Sequence, residues 1–157
     1  MMTQRNARML EERGDFWSVP ATYRCVTTNG VVRRDGRAVM GRGTALEAVR
    51  RNPSIDLPRV LGDLLRSRGN HVHLLSPTNL VSFPTKHSWR ECSDLALIRQ
   101  SALELARLVA ELRLGPDARV VLPRPGCMSG GLRWEDVRPV IAPILSDKRF
   151  VVIVGDV

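Results

Sequence analysis

The sequence predicts an α/β fold in which a mixed sheet lies between helices. Short β-branched apolar runs alternate with helical apolar stripes. The alternation is most regular from Ser93 to Val154, and turn or cap signals such as Asn29-Gly30, Gly69 and Gly115-Pro116 punctuate it. Sheets built this way are covered by helices, and ligands gather at the carboxyl ends of their strands.

The elements follow in chain order. Tyr23 to Thr28 is β-rich and runs into the Asn29-Gly30 turn. Gly43 to Arg51 reads as a short helix stopped by Pro53. Leu57 to Arg68 carries an apolar stripe of Leu57, Val60, Leu61, Leu64 and Leu65, ended by Gly69. His71 to Leu75 and Leu80 to Phe83 are strands that Ser76-Pro77-Thr78-Asn79 joins as a hairpin. Ser93 to Leu114 is the clearest helix, with Ser93 expected as its N-cap. Arg119 to Pro123 is a strand, Trp134 to Leu145 a helix, and Phe150 to Val154 the final strand.

At 157 residues, 43% hydrophobic and 25% charged, the chain is expected to form one globular domain over residues 1–157. No apolar run reaches the roughly 18 residues of a membrane span. The segment Met1–Asn6 has no apolar leader core, so the expectation is a cytoplasmic monomer without a membrane partner. Cys25, Cys92 and Cys127 are odd in number and widely spaced, which fits small buried or half-buried thiols in a reducing compartment. His71 and His73 have no third ligand nearby in sequence, so neither a metal nor another cofactor is expected.

The formal charge is +8 and the isoelectric point about 10.8. Of the 24 basic residues only Lys86 and Lys148 are lysines. The arginines are scattered, so the excess reads as codon usage in a GC-rich genome, with non-specific attraction to phosphates as its by-product. Each lysine then invites a reason, because an amine can become a nucleophile and a guanidinium cannot.

Three loops stand where a strand gives way to a helix. Thr27-Thr28-Asn29-Gly30 through Met40-Gly41-Arg42-Gly43-Thr44-Ala45 opens a helix with two glycines, a backbone suited to phosphate. Gly36 to Gly41 has the spacing of a P-loop, but Arg42 stands in the lysine position, and no third glycine completes a dinucleotide fingerprint. Pro123 to Trp134 contains Gly126, Gly130 and Gly131 with Ser129 among them, a second backbone-rich anion cradle or a plain surface loop. Phe83-Pro84-Thr85-Lys86-His87-Ser88-Trp89-Arg90 places Lys86 between a strand and the long helix.

Taken with Arg13-Gly14-Asp15-Phe16, these segments resemble the macrodomain family over roughly residues 9 to 154. The resembling motifs are Met40-Gly41-x-Gly43-x-Ala45, Phe83-Pro84-Thr85-Lys86, and Gly126-Cys127 through Gly130-Gly131-Leu132-x-Trp134. The branch is that of terminal ADP-ribose protein glycohydrolase and the DNA ADP-ribosyl glycohydrolase antitoxins. The resemblance implies a three-layer α/β/α macrodomain with a mixed, mostly parallel central sheet and a cleft for ADP-ribose. It implies that Asp15 accepts a hydrogen bond from the adenine amine and Phe16 lines the adenine pocket. Asn29, Met40, Gly41, Gly43, Thr44 and Ala45 would wrap the first phosphate and distal ribose. Gly126, Cys127, Met128, Ser129 and Gly130 would close over the diphosphate.

Lys86 aligns with the branch's catalytic lysine, which acts as a nucleophile at the anomeric carbon or as electrostatic support for the departing group. His87 and Arg90 are its cationic neighbours in sequence. The carboxylate that partners the lysine in the protein-directed member falls on Gly130 here, which leaves Glu91, Asp136 or a ligand-bound water as substitutes. Trp89 and Trp134 are expected to anchor helix starts by packing. The leading expectation is an ADP-ribosyl hydrolase acting on modified acidic side chains of proteins. The alternatives are hydrolysis of ADP-ribosylated nucleic acid and a non-catalytic ADP-ribose reader.

Overall fold

The computed structural model describes residues 8–155. The Met1–Asn6 segment read above for a leader lies outside the described residues. The elements are β1 (Leu10–Glu12), β2 (Tyr23–Thr28), α1 (Gly43–Arg51), α2 (Leu57–Arg68), β3 (His73–Leu74), β4 (Leu80–Pro84), α3 (Leu95–Glu111), β5 (Val120–Pro123), α4 (Trp134–Ile141) and β6 (Phe150–Ile153). They form one six-stranded sheet in the order β1-β6-β5-β2-β4-β3. Every neighbouring pair is parallel except β3 with β4. The sheet is therefore mixed and mostly parallel.

Period-two alternation of side chains divides the core between the two faces. On one face Cys25, Val81, Phe83, Val120, Leu122 and Val152 pack under α3 and α4, meeting Ile98, Leu105, Val137 and Ile141. On the other, Val26 and Leu80 lie under α1 and α2 against Ala45, Ala48, Leu57 and Leu61. That second face is finished by a loop, with Phe16, Trp17 and Val19 packed over Val121, Val151 and Ile153. The result is a three-layer α/β/α arrangement.

Where the elements depart from the sequence reading, a local cause is visible. α3 starts at Leu95, and its cap is Asp94, whose carboxylate accepts the Ala96 N–H at 2.9 Å. Ser93 is not the cap. α4 stops at Ile141 because Pro143 has no N–H to continue the ladder. The strand expected over His71 to Leu75 shortens to two residues: His71 leaves the sheet to meet Glu104 (Nδ1 to Oε2, 2.8 Å), and the His73 ring turns to the Gly69 carbonyl (3.0 Å). Among the described residues no three His, Cys, Asp or Glu side chains gather as a metal site, and no helix is long and apolar enough to cross a membrane. β1, an edge strand of Leu-Glu-Glu, has no alternation to announce it and is held by its parallel register with β6.

Candidate functional site

At the carboxyl ends of β2, β4 and β5 the chain encloses a cleft of about 440 Å³. Its walls come from the three loops singled out in the sequence: Thr27 to Asn29 with Met40 to Ala45, Thr85 with Lys86, and Arg124 with Gly126 to Gly130. These segments lie far apart in the chain, and the parallel register β4-β2-β5 is what sets their ends side by side.

The first wall is the N-terminus of α1. Its cap, Arg42, offers no side-chain acceptor, and the first turn holds no acidic residue, so the leading N–H groups and the positive end of the helix dipole are available to an anion. The helix is pinned to the sheet by Thr44, whose Oγ1 accepts the Thr27 N–H at 3.0 Å and lies 3.2 Å from the Thr27 hydroxyl. Asn29 holds the intervening loop: its Nδ2 donates to the Val39 carbonyl (3.1 Å) and its Oδ1 accepts the Val31 N–H (3.1 Å). Gly41 is informative because nothing in the fold demands it. Its φ is not in the left-handed region, and a Cβ there would meet no atom within 4 Å. Glycine at this wall keeps room for something that approaches the backbone.

The opposite wall is the turn after β5. Gly126 has φ +77°, and its carbonyl accepts the Leu132 N–H at 2.9 Å, closing the turn. Gly130 is buried for a different reason. A Cβ there would sit 2.1 Å from Ser93 Oγ and 2.5 Å from the Gly126 carbonyl oxygen. Its own carbonyl accepts the Ser93 N–H at 3.0 Å, which clasps the turn to the start of α3. A carboxylate at position 130 is thus sterically excluded.

The charge of the cleft is of one sign. Arg42, Lys86 and Arg124 line it, and among the described residues no Asp or Glu does. Lys86 is half-buried and makes no ion pair with a described residue. Such a cleft attracts and holds an anion. Trp89 and Met128, the most exposed large apolar side chains among the described residues at 48% and 78%, both lie at the cleft, and the Arg90 guanidinium stacks 4.8 Å from the Trp89 ring centre.

No protein-family model matches the chain. It is 36% identical over 106 residues to the DNA ADP-ribosyl glycohydrolase of Mycobacterium tuberculosis, covering 63% of this chain and 29% of that protein. With the DNA ADP-ribosyl glycohydrolase of Thermus aquaticus it shares 27% identity over 146 residues, 85% of this chain and 36% of the relative. The chain spans about a third of the length of these curated relatives. Its backbone matches the macrodomain of Mycobacterium tuberculosis DarG with a TM-score of 0.68 at 28% identity, covering 93% of this chain and 97% of that one. For the Thermus aquaticus DarG macrodomain the TM-score is 0.70 at 26% identity, over 95% and 97%.

The chain has the macrodomain fold. Its similarity runs to the DarG branch.

Within this macrodomain the residues singled out from sequence divide into two groups. Asn29, Met40, Gly41, Gly43, Thr44, Ala45, Lys86, Gly126, Met128, Ser129 and Gly130 line the cleft. Asp15, Phe16 and Cys127 do not. Phe16 is buried against Val121, Val151 and Ile153, so the aromatic that faces the cleft is the next one, Trp17, with Arg51 stacked 5.1 Å from its ring centre. Asp15 is exposed and accepts the Ser18 hydroxyl, which together with the Trp17 and Ser18 N–H groups holds its carboxyl below the usual range. The Cys127 thiol packs against the α3/α4 core and is pushed up by burial.

The proposed helpers of Lys86 also lie elsewhere. His87 Nε2 is 2.8 Å from Asp94, Arg90 covers Trp89, Asp136 pairs with Arg133 at 3.0 Å, and none of them, nor Glu91, lines the cleft. Trp134 does anchor the start of α4, donating Nε1–H to Glu11 (2.9 Å), whereas Trp89 is exposed at the cleft instead of packed. Trp17 and Ser93 also line the cleft without being marked by the sequence, whereas Thr85 and Arg124 belong to loops the sequence singles out. For Arg124 the strand-to-helix position was a signal; Ser93 gave none, because its spacing reads as a cap.

Proposed function

We propose that this macrodomain binds ADP-ribose in the cleft and releases it from a modified nucleic acid, with Lys86 as the group that meets the reacting carbon. The observation that carries the reading is the one-signed cleft: two backbone anion cradles and Lys86 line the same pocket, with no carboxylate among the lining residues. The cradles suit a diphosphate, which leaves the Lys86 amine in the same cleft to meet the distal ribose. Lys86 Nζ either attacks the anomeric carbon as the bond to the base breaks, with water then hydrolysing the adduct to free ADP-ribose, or stabilises the charge on the departing base while water itself attacks that carbon.

Three features favour nucleic acid over an acidic protein side chain as the modified partner. The steric exclusion of a carboxylate at Gly130 departs from the protein-directed member of the branch. Trp89 offers an exposed aromatic ring at the cleft, of the kind that stacks a base, and Met128 adds exposed apolar surface. The curated relatives are DNA ADP-ribosyl glycohydrolases.

The test is release of free ADP-ribose from ADP-ribosylated single-stranded DNA, with a Glu-modified protein assayed in parallel, for the wild type, Lys86→Ala and Lys86→Arg. Release from DNA that both variants abolish supports the nucleophile, and retention by Lys86→Arg leaves only the electrostatic role. Release from protein alone reverses the order of substrates. Binding with no release from either makes the domain a reader.

A further inference from the structure

Two hydroxyls in the cleft wall have no partner among the described residues. Thr28 Oγ1 and Ser93 Oγ are fully buried and make no hydrogen bond, and both residues line the cleft while being only 6% and 8% exposed. A hydroxyl in that state costs stability unless something outside the fold satisfies it.

Ser93 is the better placed of the two. The Asp94 N–H donates to the Thr85 carbonyl at 2.9 Å, so the Ser93–Asp94 peptide is hydrogen-bonded to the Thr85–Lys86 peptide. On its other side the Ser93 N–H donates to Gly130, and the position a Cβ would take at Gly130 is 2.1 Å from Ser93 Oγ. Ser93 is therefore wedged between the Lys86 segment and the Gly130 turn, and its hydroxyl fills the space a side chain at 130 would need. Asp94 beside it already caps α3, so the serine has no capping duty.

We propose that Ser93 is a positioning residue whose hydroxyl hydrogen-bonds to a ribose hydroxyl next to the anomeric carbon, and so fixes the distal ribose against Lys86. The inference rests on the ADP-ribose reading above and adds the group that orients the sugar where no carboxylate can stand. It separates two parts of one ligand: the diphosphate and adenosine are held elsewhere, and Ser93 touches the distal ribose.

The experiment compares ADP-ribose with ADP, which lacks that sugar, by titration calorimetry on the wild type and Ser93→Ala, with thermal unfolding alongside. Loss of one neutral hydrogen bond should weaken ADP-ribose by about 3- to 10-fold and leave ADP unchanged. The midpoint of unfolding should stay level or rise, because the variant removes an unsatisfied buried group. Equal losses for both ligands would mean that the clasp to Gly130 had been disturbed, and would overturn the proposal. So would unchanged affinity for ADP-ribose. Failure of the wild type to bind ADP-ribose at all would overturn the functional reading and this inference with it.

Discussion

Replacing Gly130 with Ala should disable the cleft, although it adds a single methyl group far from any chain terminus. The new Cβ would lie 2.1 Å from Ser93 Oγ, 2.5 Å from the Gly126 oxygen and 2.9 Å from the Gly126 carbonyl carbon, all closer than the 3.0 Å within which side-chain carbons are essentially never found. Rotating Ser93 relieves the first contact only. The other two are backbone, and that backbone is locked by the Leu132 N–H on the Gly126 carbonyl (2.9 Å) and the Ser93 N–H on the Gly130 carbonyl (3.0 Å). The turn must therefore give way. Overpacking of this kind costs about 1–3 kcal/mol, and losing one of the two bonds adds about 1 kcal/mol. For a domain of this size the sum of roughly 2–4 kcal/mol lowers Tm by roughly 4–16 °C. Gly130→Asp should fare no better, so restoring a carboxylate by this route should not raise turnover. Differential scanning fluorimetry with an ADP-ribose titration reads both effects. Gly115→Ala is the control, since its Cβ would meet nothing within 4 Å and its φ is not in the left-handed region. A Gly130→Ala protein that melts with the wild type and binds equally well would refute the reasoning.

Gly41→Ala should leave Tm within about a degree but weaken ADP-ribose by tenfold or more, roughly 1.4 kcal/mol, because the added Cβ has no protein neighbour within 4 Å and only the ligand to displace; an unchanged calorimetric Kd would count against the cradle. Gly62→Ala should destabilise the fold even though alanine is ordinarily favoured in a helix by about 1 kcal/mol: its Cβ would fall 2.0 Å from the Gly36 carbonyl oxygen, where the loop before α1 crosses α2, and a rise in chemical-denaturation midpoint would contradict this. Glu12 accepts two bonds from Arg119 (3.1 and 2.8 Å), which hold its carboxyl below the usual 4.5 despite partial burial. With the folded value depressed, the pair stabilises fully above the unfolded pKa and its contribution is lost as pH falls through the folded one. Arg119→Met should accordingly lower stability at neutral pH and converge on the wild type well below pH 4.5, as denaturation across pH would show.

The sequence alone determined the secondary structure where its signals are local. β2, α1 and α2 fall where alternation, Pro53, the apolar stripe and Gly69 place them, because each boundary is set by a residue's own backbone chemistry. The two glycine loops and Lys86 were likewise visible, since strand-to-helix loops of a mostly parallel sheet must gather at one edge. What only the tertiary structure decided is which neighbour faces the cleft. Phe16 and Trp17 are adjacent aromatics, and sheet packing buries the first and leaves the second at the wall. Ser93 and Asp94 are both good caps in sequence; the helix takes Asp94, and the clasp to Gly130 turns Ser93 inward without a partner. Gly130 reads in sequence as a missing carboxylate, while in space it is a position where Ser93 and the Gly126 carbonyl leave no room for one. Contacts between residues distant in the chain fix these choices, and no local pattern records them.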